Sequence, residues 1–142
     1  MPAFNEELFV REAVESVAHE ISENNIELIV VDDFSTDNTW TVLNELKAEY
    51  EFIKIYKNEI KGKNSAFNLA YKKSTGDIII LLAADDILEA GMLSVRTSPL
   101  LENNNITITC CKLKTFSKKK KLDSIVTPKS KDKGALSGGT IA

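Results

Sequence analysis

Two apolar runs closed by acid constrain this chain more than anything else in it. Leu28-Ile29-Val30-Val31 ends in Asp32-Asp33, and Ile78-Ile79-Ile80-Leu81-Leu82-Ala83-Ala84 ends in Asp85-Asp86. Runs of this length, rich in Ile and Val, read as parallel strands buried on both faces. Open α/β sheets gather ligands at the carboxyl ends of such strands. Two carboxylate pairs at two strand ends therefore predict one site that holds a divalent metal and a polar ligand. A local reading competes with it, because Asp and Ser at a strand end also cap the helix that follows.

The segments around the runs supply the rest of an α/β pattern. Residues 6–23 carry Val10, Ala13, Val14, Val17, Ala18 and Ile21 on one helical face. Ser35, Thr36 and Asp37 offer caps for a helix bearing Trp40, Leu43 and Leu46. A short strand is expected over 52–56 and a helix over 63–73, ended by Ser74-Thr75-Gly76. The strand over 78–83 precedes a helix over 91–102 that contains Pro99. A further alternating strand is expected over 106–113, then loops with a short strand near 124–126. Helices alternating with strands in this order predict a three-layer α/β/α, Rossmann-like domain with a mainly parallel sheet. The chain opens on a helix and both ends are abrupt, which reads as a fragment truncated at both ends. The expected division is an α/β domain over 1–113 and an incomplete lysine-rich region over 114–142.

Charge and cysteine usage narrow the function classes. The net charge of −3 conceals a lysine-rich stretch over 112–133 at +7 against −10 for the remainder. The run Lys118-Lys119-Lys120-Lys121 reads first as a solvated loop. Its functional reading is peripheral contact with anionic lipid head groups or a phosphate-bearing substrate. Nucleic acid is not expected as a partner, because the basic stretch lacks interleaved aromatics and any recognisable binding module. Cys110 and Cys111 are adjacent, match no zinc spacing, and are read as reduced thiols. The expected location is the cytoplasm, with the lysine run at the cytoplasmic face of the membrane. His19, Trp40, Phe67 and Asn68 are read as ordinary surface or packing residues.

Five ordered pieces then carry a resemblance. They are Pro2-Ala3-Phe4-Asn5-Glu6-Glu7, Val30-Val31-Asp32-Asp33-Phe34-Ser35-Thr36-Asp37-Asn38-Thr39, Gly62-Lys63-Asn64-Ser65-Ala66-Phe67-Asn68, Gly76-Asp77-Ile78 and Ala84-Asp85-Asp86. Together they resemble the donor-binding half of a family 2 glycosyltransferase with the GT-A fold, over roughly residues 1–110. The resemblance implies an inverting transfer of sugar from a nucleotide-diphosphate sugar, usually a UDP-sugar, to the hydroxyl of a carbohydrate or lipid-linked acceptor. Cell-surface polysaccharide or glycolipid assembly is the implied setting.

Carried over by position, Pro2, Ala3 and Phe4 would line the nucleotide pocket and Glu6 or Glu7 would sit at its rim. Asp33 would accept from the uracil N–H, supported by Asp32. Lys63 would lie near the base or diphosphate. Asp85 and Asp86 match the family's DxD-type motif, with Asp85 also near the ribose and both holding Mg²⁺ or Mn²⁺. A hard cation held by few carboxylates suits diphosphate oxygens. Ala83 stands where many relatives carry a further Asp. The general base is not assigned, since only Asp123 and Asp132 follow Glu102 among the acidic residues. Two alternatives stay open: a non-catalytic nucleotide-binding fragment, and a response-regulator receiver-like domain. The receiver would place its acidic pair directly after the first strand.

Overall fold

The computed structural model describes residues 1–21, 25–109, 113–117 and 120–126, the last two stretches as backbone. The chain forms two compact units, Met1–Met92 and Leu93–Ala142.

The first unit is built on a parallel three-stranded sheet. Its strands are β1 (Pro2–Ala3), β2 (Leu28–Asp32) and β3 (Ile53–Lys57), in that spatial order. Between them run α1 (Val10–Ala18), α2 (Thr39–Glu49) and α3 (Lys63–Lys73). Every residue of β2 is buried, as its unbroken apolar run requires of a central parallel strand. Neighbouring strand residues face opposite sides. Ile29 and Val31 therefore pack together against Ala66 and Ala70 of α3, with Tyr56 and Leu69 at the margin. On the other layer α1 packs on α2 and α2 on β3, and Val10, Val14, Leu43 and Leu46 are fully enclosed. The helical spacing of the apolar residues thus finds its core, and α3 occupies the 63–73 span that its sequence pattern marks.

α1 begins at Val10, later than the pattern suggests. The backbone of Glu6 and Glu7 is engaged elsewhere, and residues 6–9 form a turn closed by Phe9 N and Val10 N donating to the Glu6 carbonyl at 3.0 and 2.9 Å. The doublet Asp32-Asp33 follows the middle strand β2, which does not match the receiver-like alternative.

The expected strand over 78–83 is corrected. Among the described residues these pair with no strand, and Ile79 and Leu81 are 43% and 66% exposed. β1 contributes only two residues to the edge of the sheet, and both pair with β2. Asp85 accordingly sits in a turn, in which Asp86 N donates to the Ala83 carbonyl at 3.2 Å.

In the second unit, α4 (Met92–Glu102) keeps Pro99 inside it. Ser98 Oγ bonds the Ser94 carbonyl at 2.8 Å beside the proline, and Thr97 Oγ1 bonds that of Leu93 at 3.0 Å. Of the strand expected over 106–113, residues 106–109 join no strand among the described residues, Leu113 begins the next one, and residues 110–112, with both cysteines, lie outside the described residues. An antiparallel pair, β4 (Leu113–Ser117) and β5 (Lys120–Val126), follows where mostly loop was expected. Lys118 and Lys119 of the lysine run lie outside the described residues. Among the described residues no helix is long and apolar enough to cross a membrane.

Candidate functional site

The register of the sheet brings three strand ends into one row. Ala3 pairs with Asp32, and Asp32 pairs with Lys57. Beyond this row the chain leaves the sheet through the 4–9, 33–38 and 58–62 loops, which is where an open parallel sheet offers a ligand crevice. A cleft of about 520 Å³ opens there, lined by Asp32, Phe34, Ser35 and Thr36 from one side and by Lys57, Asn58 and Lys61 from the other. That volume lies in the range of small-ligand sites.

The two carboxylates of the first doublet differ in their use. Asp33 is buried and fully engaged: the Gly62 N–H donates to its Oδ1 and Oδ2 at 2.8 and 3.0 Å, and Asn58 Nδ2 donates to Oδ1 at 2.7 Å. Asp32 is 4% exposed, and its Oδ1 is buried without a hydrogen-bond partner. Buried polar atoms are nearly always satisfied, so an orphan acceptor in a cleft wall is an unfilled demand for a donor.

The cleft rim is held by two loops that cap each other. Glu6 N donates to Thr39 Oγ1 at 2.8 Å, Glu7 N to Asp37 Oδ2 at 3.2 Å, and Glu7 Oε2 accepts from Asn38 N at 2.8 Å. Asn5 Oδ1 accepts from Thr36 N at 2.8 Å, and Ser35 Oγ from Asn5 N at 3.0 Å. Asp37 also accepts from Thr39 N at 3.0 Å, so it caps α2 from one residue before the helix boundary. Burial pushes the Asp37 carboxyl up, but the donors from Thr39 and Glu7 outweigh it and the net direction is down. Asn5 and Phe34 adopt left-handed backbone at φ 57° and 62°. That conformation is costly for a bulky residue such as Phe34 and recurs at ligand clamps.

Most of the residues singled out in the sequence converge here. Pro2 and Ala3 form the strand beside Asp32, and Phe4 lies 44% exposed with the Lys61 ammonium 5.1 Å from its ring centroid. Glu6 has its carboxyl pushed up, first by burial and then by the negative charges of Asp85 and Asp37. Asp85 therefore lies within electrostatic reach of the rim. Lys63 starts α3 with its ammonium 5.9 Å from the Phe67 ring centroid, and it does not line the cleft.

Lys57, Asn58 and Lys61 were not picked out in the sequence. They follow β3 as the acidic doublet follows β2, and the strand-end rule was applied only to ends that carry acid.

Asp85 and Asp86 are exposed, and among the described residues no three His, Cys, Asp or Glu side chains assemble into a full ligand set. The acidic groups around the rim are thus Glu6, Asp37 and Asp85, and the charges of the last two add to burial in raising Glu6.

Comparison with known proteins agrees with this geometry. Residues 1–134 match the family model described as glycosyl transferase family 2. The chain is 36% identical over 94 residues to the probable glycosyltransferase YdaM of Bacillus subtilis, covering 63% of this chain and 22% of that protein. It is 37% identical over 105 residues to the Escherichia coli UDP-Glc:alpha-D-GlcNAc-diphosphoundecaprenol beta-1,3-glucosyltransferase WfgD, covering 73% of this chain and 40% of that one. The chain thus spans well under half the length of these relatives. Among solved structures, S. aureus TarS 1-349 superposes with a TM-score of 0.61 at 24% identity, over 71% of this chain and 30% of that chain. The TarS 1-349 structure in complex with UDP gives 0.59 at 23% identity. These likenesses establish the fold.

Proposed function

The chain belongs to glycosyl transferase family 2, and from that premise we propose that it forms the donor-binding part of an enzyme that moves a sugar from a UDP-sugar to an acceptor hydroxyl with inversion. The observation that carries the donor assignment is Asp32, a carboxylate in the cleft lining whose enclosed Oδ1 has no hydrogen-bond partner. The uracil ring offers the N–H donor this oxygen lacks. With Asp33 already bonded to Gly62 and Asn58, the doublet divides its work: Asp32 accepts from the base and Asp33 holds the wall. Pro2 and Ala3 back the pocket, and Phe4 and Phe34 offer apolar faces to the nucleoside.

Lys57 and Lys61 line the cleft and would pair with a diphosphate, Glu6 would stand at its rim, and Lys63, outside the cleft lining, would approach the diphosphate from the start of α3. Asp85 and Asp86 would hold Mg²⁺ or Mn²⁺, which when bound neutralises charge developing on the leaving nucleotide. The acceptor is proposed to be a carbohydrate or lipid-linked glycan at the cytoplasmic face of the membrane. The relatives support a lipid-linked acceptor, since WfgD is named for a diphosphoundecaprenol substrate. Membership of the family sets the receiver-like alternative aside.

Titration calorimetry with UDP, with and without Mn²⁺, tests the reading on the parent chain and on Asp86→Ala. The parent is expected to bind UDP more tightly with Mn²⁺, and the variant to lose that gain. Nucleotide binding that is indifferent to Mn²⁺ in both proteins removes Asp85 and Asp86 from the metal site. A parent that binds UDP but transfers no sugar in the presence of extracted glycolipid acceptors supports the non-catalytic alternative.

A further inference from the structure

We infer that Asn58 is the positioning residue of the nucleotide cleft, fixing Asp33 and the 58–62 loop that carries Lys61. The inference rests on the nucleotide reading of the cleft and adds to it a lining residue whose side chain is spent on holding other residues of the site. Asn58 follows β3 and is 7% exposed. Its backbone N–H donates to the Asp32 carbonyl at 2.8 Å, extending the sheet by one bond past the strand ends. Its side chain is then saturated. Nδ2 donates to Asp33 Oδ1 at 2.7 Å and to the Ile60 carbonyl at 2.6 Å, with the Gly62 carbonyl at 3.4 Å. Oδ1 accepts from Glu59 N at 3.1 Å and Ser65 Oγ at 3.2 Å.

Few side chains could replace it. The position needs two donors and an acceptor in one plane without charge, which is what a primary amide supplies. A carboxylate would set like charge against Asp33, and an apolar residue would strip donors from Asp33 and the Ile60 carbonyl together. The loop is tied to Asp33 at both ends, by the Asn58 side chain and by the Gly62 N–H. Gly62 permits this closure because its φ of 140° is one that side-chain-bearing residues rarely adopt. Lys61 rides on the closed loop and reaches the Phe4 ring across the cleft. One amide therefore sets both the acidic wall and a cation of the site.

The test compares the parent with Asn58→Ala and Asn58→Asp by UDP calorimetry and amide hydrogen exchange between about pH 5 and 8. The charged groups around position 58 are Asp32 on β2 and Asp33 just after it, Lys57 on β3, Glu59 and Lys61 in the loop, and Lys63 on α3. Asn58→Ala is expected to weaken UDP by about tenfold or more. It should also speed exchange at the Gly62 amide while leaving the Val30 and Val31 amides protected. Asn58→Asp is nearly isosteric, and its two carboxylates must share a proton to restore a donor. Its UDP affinity should therefore recover toward the parent's as the pH falls toward 5, a trend the parent lacks. A residue that merely stabilises the fold would lower the unfolding midpoint without changing that pH profile. Variants with parental Gly62 exchange, or with UDP affinity that follows the parent's at every pH, overturn the inference. A parent that binds no UDP overturns the reading of the cleft itself, and the two failures are thereby distinguished.

Discussion

Glu27 and Lys54 form an ion pair at 2.7 Å across the entry to β2 and β3, while the other oxygen of Glu27 gathers the chain immediately after α3. That oxygen accepts from the Thr75 backbone N–H, from Thr75 Oγ1 at 2.9 Å and from Gly76 N at 3.1 Å. One carboxylate thus ties the amino end of the central strand to residues 48 and 49 positions further on. It stabilises the end of the sheet opposite the cleft.

The acid stability of the fold should follow this group. The Lys54 hydrogen bond, then the Thr75 N–H, hold the Glu27 carboxyl down from 4.5 to about 2. A carboxyl lowered on folding contributes stability that is complete above its unfolded value and is lost as the pH falls through the folded one. The parent's melting temperature should therefore drop between about pH 4.5 and about pH 2. Glu27→Gln should start a few degrees lower at neutral pH, by about 2–6 °C. Its melting temperature should then fall less steeply across the acid window. Scanning calorimetry as a function of pH checks both, and parallel curves for the two proteins would sink the assignment.

The core makes a second demand. Leu43 is fully buried on α2, the helix that packs on both α1 and β3. Leu43→Ala removes three carbons from a site with little freedom to collapse, and should cost about 2–5 kcal/mol in urea unfolding. The folded fraction should bind UDP with parental affinity, because α2 meets the cleft through its capping residues and first turn, where the Trp40 ring centroid lies 4.7 Å from the Lys57 ammonium, and Leu43 lies beyond them in the core. A loss under 1 kcal/mol, on the order of a surface substitution, would mean that this layer is less tightly packed than it looks.

Sequence alone resolved the parts of this molecule whose physics is local. The apolar face of α1, the span of α3 and the buried run of β2 each follow from periodicity and length, and they were found. The run Ile78–Ala83 has the strongest strand signal in the chain, yet a strand exists only through its neighbour, and β1 offers just two residues. β4 and β5 lie in a lysine-rich stretch whose composition suggests solvent, and their pairing is a relation between segments that no single window contains. At the site, the doublet Asp32-Asp33 was legible because carboxylates at a strand end are unusual. Its internal division was hidden, since the partners of Asp33 lie 25 and 29 residues away. Lys57, Asn58 and Lys61 were passed over because a Lys or Asn after a strand is ordinary until the register sets it beside Asp32.

That division of the doublet has a consequence of opposite sign in the free and bound protein. Asp32 Oδ1 is buried with no donor, so the free protein bears the cost of an unsatisfied charged group. Asp32→Asn removes that charge while keeping the shape, and should leave the free protein unchanged or stabilise it by about 1 kcal/mol. The same change should weaken UDP by about tenfold, because an N–H bond to a carboxylate is roughly twice as strong as one to a neutral amide. Thermal shifts measured with and without UDP separate the two effects: the variant should melt no lower than the parent alone, yet gain less from nucleotide. A variant that is less stable than the parent and equally shifted by UDP would assign Asp32 to the fold and return the role of base acceptor to Asp33.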